Sequence, residues 1–197
     1  MSTVVFDLGE VLASPTTLYA ELADHLPAGE REVEDAYWRG RDAHDRGASA
    51  TEYWSGVITA LGGPIDADLV ARLSLIDAVR WTTIRQDAAD TLRDLSVAGL
   101  TVAVLSNAPV ELGRVARSTP WAKYVGQFFF SGDLRLAKPD AEIYELVTQR
   151  LDVPPEEVVF FDDRQVNVDA ARNAGWDAYL WTSGGSMRET LEALRLL

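Results

Sequence analysis

Short, continuous apolar runs separated by helical patterns constrain this chain more than any other feature. Val4-Val5-Phe6, Thr101 to Leu105, Phe128 to Phe130, Val158 to Phe161 and Ala178 to Leu180 each read as a strand. Continuous rather than alternating apolarity predicts strands covered on both faces, as in a parallel sheet. Helical periodicity fills the intervals. Asp87 to Ala98 sets Ala88, Leu92 and Leu95 on one face ahead of Gly99; Ala141 to Leu151 follows Pro139; Val166 to Ala174 precedes Gly175; and Ser186 to Leu196 closes the chain. Alternation of this kind predicts an α/β fold with a doubly wound, mostly parallel, Rossmann-like sheet.

One interval breaks the alternation. From Ser14 to Arg80 the pattern is helical only, interrupted at Pro27-Ala28-Gly29, Gly47 and Gly62-Gly63-Pro64, and it reads as three or four packed helices. The first strand precedes this block and the others follow it, so residues 14–80 are expected to form a helical cap on a core made of 1–13 and 81–197. An insert at that point in the chain sits over the carboxyl edge of the sheet, where open α/β folds bind ligands.

Composition narrows the function classes. At 197 residues, 47% hydrophobic and 25% charged, the chain has the make-up of an ordinary folded domain. It has no cysteine, which removes disulfides, thiolate metal sites and a cysteine nucleophile, and is compatible with a reducing cytoplasm. Met1-Ser2-Thr3 leads straight into the first strand with neither a basic segment nor a long apolar run, so no membrane partner and a cytoplasmic location are expected. The net charge of −13 argues against nucleic acid as partner. It also repels an anionic substrate, so a site for a phosphate ester needs local positive features: a divalent cation, a placed Lys, helix-terminal amides. The sequence sets no oligomeric state.

Polar residues follow these strands on what a parallel sheet makes a single edge. They are Asp7 after the first strand, Ser106-Asn107 after the second, Lys138-Pro139 after the third and Asp162-Asp163 after the fourth. The set matches the needs of phosphoryl transfer. Carboxylates offer hard oxygen ligands to Mg²⁺, a Ser hydroxyl and backbone amides can hold phosphate oxygens, and a Lys can offset developing charge. Taken singly, Asp7, Ser106 and Asn107 would read as loop or capping residues and Lys138 as an exposed Lys at a helix start. Four such signals in register point elsewhere.

In order and spacing, VVFDLGEVL, VLSNA, AKPDAEIY and VVFFDDRQVNVDAARNAGW resemble the four motifs of the haloacid dehalogenase-like superfamily, and the helical block with DRGASATEYW resembles the cap of the subgroup that inserts it between the first and second motifs. The resemblance implies Mg²⁺-dependent hydrolysis of a small phosphorylated metabolite, a sugar phosphate being one candidate because the FDLG start is similar to that of a sugar-phosphate phosphatase branch. It implies Asp7 as nucleophile, forming an aspartyl-phosphate and ligating Mg²⁺, with the Gly9 carbonyl as a second ligand. Ser106 and the Asn107 amide would bind phosphate and Lys138 would neutralise charge. Asp162 would ligate the metal, with Asp163 supporting it directly or through water.

The chain departs from the family's pattern at Gly9, where most phosphatases of this kind carry a second Asp that moves the leaving-group proton. Loss of such a group costs about 10² to 10⁴-fold in rate. Glu10 is the first candidate to replace it, with His25 and His44 behind. Otherwise both histidines read as surface or packing residues, Trp38, Tyr53 and Trp54 as packing between cap helices with one free to line the entrance, and Trp176 and Trp181 as packing beside the last strand. Arg39 and Arg41, amid Asp35, Asp42 and Asp45, read as a solvated charged face. The alternatives are a dehalogenase, which the Asp162-Asp163 pair and the lack of a tyrosine in the first motif oppose, and a non-catalytic phosphate-binding protein, which Gly9 motivates.

Overall fold

The computed structural model describes residues 3–182 and 187–197. Its framework is a five-stranded parallel sheet of β1 (Thr3–Phe6), β2 (Thr101–Ser106), β3 (Gln127–Phe130), β4 (Val158–Asp162) and β5 (Asp177–Leu180), ordered β3-β2-β1-β4-β5. Registers are regular. Val5 lies opposite Ala103 on one side and Phe160 on the other.

The continuous apolarity of the central strands β1, β2 and β4 has the physical cause expected of it, whereas the edge strand β5 is not covered on both faces and leaves Leu180 exposed. Val4 and Phe6 point into one core with Val102, Val104 and Phe161. Val5 points into a second with Ala103, Leu105 and Phe160. The first core is closed by α6 (Gln86–Val97), α7 (Val110–Ala116) and α11 (Met187–Ala193), the second by α9 (Ala141–Leu151) and α10 (Gln165–Asn173). Ile143, Tyr144, Val147 and Leu151 show how α9 does this, since residues spaced by three or four positions form one buried stripe. Each fully buried side chain of this size stabilises the fold by roughly 1.5–3 kcal/mol.

The insert after β1 contains five helices rather than three or four: α1 (Leu18–Ala23), α2 (Glu30–Trp38), α3 (Arg41–Asp45), α4 (Ala50–Ala60) and α5 (Ala67–Thr82). The extra element is the one-turn α3, split from α2 by Gly40 in a left-handed conformation. No periodicity can be read over five residues. Side-chain caps at Ser49 and Asp66 start the two longer helices. The insert has its own core, with Leu22, Tyr37, Trp54, Ile58 and Leu73 buried together. Its last helix continues past Arg80 to Thr82.

Two elements of the core escape the sequence pattern, α7 and the four-residue α8 (Ser131–Leu134), both too short to show a period. The expected terminal helix starts at Met187; the Ser186 at its proposed start lies outside the described residues. Trp176 and Trp181 are buried beside β5. No helix among the described residues is long and apolar enough to cross a membrane.

Candidate active site

The strand order reverses direction at β1, whose neighbours β2 and β4 carry the chain to opposite edges. At such a switch point the loops leaving the strands diverge and leave a crevice. Asp7 stands there, one residue beyond β1, its N–H donating to Phe161 O at 2.9 Å. A cavity of about 530 Å³ opens above it. Asp7, Gly9, Glu10, Ser106, Asn107, Lys138 and Asp163 all line this cavity.

Three carboxylates, those of Asp7, Asp162 and Asp163, offer oxygens within 4.8 Å of one another. One ammonium faces them. Lys138 Nζ lies 3.0 Å from Asp7 Oδ1 and 2.6 Å from Asp162 Oδ2, and also donates to Leu105 O at 3.0 Å, so all three of its donors are used. Burial alone would pull the Lys138 ammonium down, but the two carboxylates outweigh it and hold its pKa above the usual lysine value. Burial pushes the Asp7 carboxyl up to about 6, against Lys138 and with Asp162 adding to the rise. Asp163 is raised by burial and by Asp162. Crowded carboxylates countered by a single cation form a donor set that fits a hard divalent ion.

The acidic pair divides its work in a way the sequence does not indicate. Asp162 is fully buried, and both its oxygens are engaged: Oδ2 by Lys138, Oδ1 by the Arg164 N–H and by Asn167 Nδ2, each at 2.9 Å. Asp163, half-buried, is the member that reaches the cavity wall. Asn107 likewise has a job besides its amide. Its side chain exchanges two 2.8 Å hydrogen bonds with the Lys138 backbone, which sets the start of the Lys138 side chain. Asp7 is fixed through Oδ1, which takes the Leu8 N–H at 2.7 Å, and its carboxyl also bonds the Ser106 hydroxyl.

Glu10 has a left-handed backbone (φ 56°), and its exposed carboxylate accepts from Ser14 Oγ at 2.7 Å. Gly9 is pressed by Trp81: a Cβ built there would lie 3.3 Å from the indole ring. That ring is itself held, its Nε1–H donating to Tyr37 OH at 2.8 Å.

The insert supplies the roof, and here the sequence reading needs correction. Arg41 is not on a solvated face. It is buried, with Nη1 3.1 Å from Asp77 and Nε 2.7 Å from Asp45, and it also contacts the Tyr37 hydroxyl. Of the three cap aromatics, half-exposed Trp38 is the one that lines the cavity, while its Nε1–H donates to Tyr19 OH at 2.8 Å, and Tyr53 and Trp54 are buried. His44 is buried and stacks on Tyr53 at 4.4 Å, with Nδ1 at the Ala48 carbonyl. His25 is outside the cavity lining. Asp42 and Asp45, read from the sequence as part of that solvated face, line the cavity, as do Trp81 and Arg164, which sequence reasoning passed over. Arg41 and Asp45 stand four apart on a helix, the spacing of a common surface ion pair, and nothing local distinguishes a buried one.

Residues 1–175 match the family model described as haloacid dehalogenase-like hydrolase. The chain belongs to that family. Among curated hydrolases of known activity it is 32% identical over 119 residues to an (S)-2-haloacid dehalogenase of Pseudomonas fluorescens, a match covering 60% of this chain and 52% of the relative. It is 47% identical over 53 residues to a phosphorylated carbohydrates phosphatase of Thermotoga maritima, covering 27% and 24%. The chain thus spans about half the length of the first relative and a quarter of the second. The fold is similar to that of a haloacid dehalogenase-like enzyme of Bacteroides thetaiotaomicron, bt-2542, solved in complex with magnesium and inorganic phosphate. That likeness has a TM-score of 0.76 at 19% identity and covers 96% of this chain and 98% of the other.

Proposed function

We propose that this hydrolase is a Mg²⁺-dependent phosphatase of small phosphate monoesters, with sugar phosphates among its substrates, and that it works through an aspartyl-phosphate on Asp7. The observation that carries the reading is the cluster of Asp7, Asp162 and Asp163 around Lys138 at the base of the cavity. Asp7, Asp163 and the Gly9 carbonyl would hold the ion and Asp162 completes the acidic set. When bound, the ion neutralises the repulsion between a carboxylate nucleophile and a phosphate dianion.

The chain's own residues account for most of the rest. Asp7 is oriented by the Leu8 N–H and Lys138, so its carboxylate needs no reorganisation to attack phosphorus. Ser106 stands beside it and can donate to a phosphoryl oxygen. Lys138 is locked between Asp7 and Asp162 and offsets charge that builds on the phosphoryl group. Asp162 acts by holding Lys138. The insert over residues 14–80 serves as a cap that keeps bulk water from the nucleophile.

A second reading, carbon–halogen cleavage by Asp7, is favoured by the 32% identity to a haloacid dehalogenase. The three-carboxylate cluster weighs against it, since a metal-free attack on carbon gains nothing from two further anions. The two separate in one experiment. Phosphate release from a panel of phosphorylated metabolites is expected with Mg²⁺, and its loss with EDTA and in Asp7→Asn. Halide release from a haloacid without metal, with no phosphate release from any ester, would establish the second reading instead.

A further inference from the structure

Two residues after Asp7, where the family pattern expects a proton donor, the chain has Gly9, and the space there is tight. Gly9 carries no side chain, and a Cβ there would lie 3.3 Å from the Trp81 ring, a tight contact that the ring would have to relieve. The proton that the leaving oxygen requires therefore has to come from another wall.

We propose that Asp45, on the insert side of the cavity, is the catalytic acid and base of this hydrolase, an inference that rests on the phosphatase reading. Asp45 lines the same cavity as Asp7. Its Oδ1 accepts from Arg41 Nε at 2.7 Å, and no hydrogen bond to Oδ2 is made among the described residues. The carboxyl group is thus oriented by one oxygen and open at the other.

The tip of the insert that carries Asp45 is fastened to the core at three consecutive positions. The Asp45 carbonyl accepts from Ser131 Oγ at 2.5 Å, and the same hydroxyl accepts from the Ala108 N–H at 2.9 Å, in the loop that follows Ser106 and Asn107. Arg46 pairs with Asp140 at 2.6 Å, two residues past Lys138. Gly47, at φ 101°, meets the Gly132 carbonyl so closely that a Cβ would lie 3.0 Å from it. Asp45 is therefore positioned relative to the very loops that carry Ser106 and Lys138. A general acid has to be held in this way, within reach of the reacting group.

The surroundings suit the role. Burial pushes the Asp45 carboxyl up to about 6, against the pull of Arg41 and with Asp77 and Asp42 adding to the rise. Both protonation states are then populated near neutrality, as an acid that must become a base requires. The charged groups that face it are Arg41 and Asp42 on its own helix and Asp77 on α5, with Asp7, Glu10, Lys138, Asp163 and Arg164 across the cavity. Glu10, by contrast, is exposed and tied to Ser14.

Protonated Asp45 gives its proton to the ester oxygen as the bond from that oxygen to phosphorus breaks and the Asp7 carboxylate bonds to phosphorus. Ionised Asp45 then takes a proton from a water molecule. The resulting hydroxide bonds to phosphorus, the Asp7–phosphorus bond breaks, and inorganic phosphate leaves with Asp7 and protonated Asp45 restored.

Leaving groups provide the test. Glycerol phosphate needs a proton on its departing alkoxide, whereas para-nitrophenyl phosphate releases a stable phenolate. With Mg²⁺, Asp45→Asn is expected to lose about 10² to 10⁴-fold in kcat on glycerol phosphate. On para-nitrophenyl phosphate it should retain a rapid first-turnover burst of phenolate and accumulate aspartyl-phosphate, because only the second step is slowed. A loss of the burst equal to the loss on glycerol phosphate would mean a merely structural Asp45 and overturn the proposal, as would unchanged turnover of both esters. If Asp45→Asn does not fold, Asp45→Ser is put to the same comparison with the same two outcomes. Should the parent enzyme release phosphate from neither ester, the phosphatase reading falls and the proposal with it; a failure of Asp45 alone leaves that reading standing.

Discussion

At the scale of single residues, the buried carboxyls set a pH dependence whose sign can be stated in advance. Asp45 rises from 3.8 to about 6 on folding because burial disfavours its charge. Between those values the folded chain holds a proton that the unfolded chain has released, so this group's contribution to stability is present below about 4 and is lost as pH rises through about 6. Asp45→Asn removes that slope. In urea unfolding at a series of pH values, the stability of the variant relative to the parent is expected to climb between pH 4 and 6, and a flat difference would show that the carboxyl titrates normally. The same residue marks the limit of what the sequence discloses. Asp7, Ser106 and the acidic pair could be read because each stands at the end of an apolar run, and Lys138, past β3 and α8, through its place in the AKPD motif. Asp45 sits among three other charged residues and a histidine in Arg41-Asp42-Ala43-His44-Asp45-Arg46, and only tertiary packing decides which of them is buried.

At the scale of elements, the strands were legible and the short helices were not. A parallel strand covered on both faces imposes apolar residues at every position, a signal that survives over three or four residues. The helical signal needs several turns, so α9 could be read from Ala141 to Leu151, whereas α3, α7 and α8 could not. Within the insert, α2, α3 and α5 are joined by a buried polar network in which Asp77 accepts from Tyr37 OH at 2.6 Å and from Arg41. Asp77→Ala would leave Arg41 with Asp45 as its single carboxylate partner and Tyr37 without its acceptor. Removing one member of a buried pair costs about 3–5 kcal/mol. We expect a loss near the lower end of that range, read as a lowered denaturation midpoint at unchanged m-value. The partly buried Arg80–Glu21 pair, whose Arg80 is on the same α5, should contribute no more than about 1 kcal/mol.

At the scale of the whole molecule, the net charge of −13 and the phosphatase reading pull against each other. Under that reading the long-range field repels a phosphate ester, while Lys138 and a bound ion would act only at short range, inside the cavity. Salt screens the first more than the second, because exposed charges more than a Debye length away, about 10 Å at 0.1 M, are damped and buried pairs are not. The expected result is a kcat/KM for a doubly charged ester that rises as ionic strength goes from about 0.01 to 0.1 M, with kcat unchanged. A fall would mean that local positive charge dominates the approach.

The contact between Gly9 and Trp81 joins the first loop of the core to the last helix of the insert, and it bears on the routes by which such an enzyme can change. An acid placed at position 9 in one substitution crowds an indole ring anchored by Tyr37, and removing the ring first opens a void beside Asp7. The ring that crowds position 9 is thus shared between the two parts of the chain, so a change at Trp81 or at Tyr37 is felt by the loop that carries Asp7.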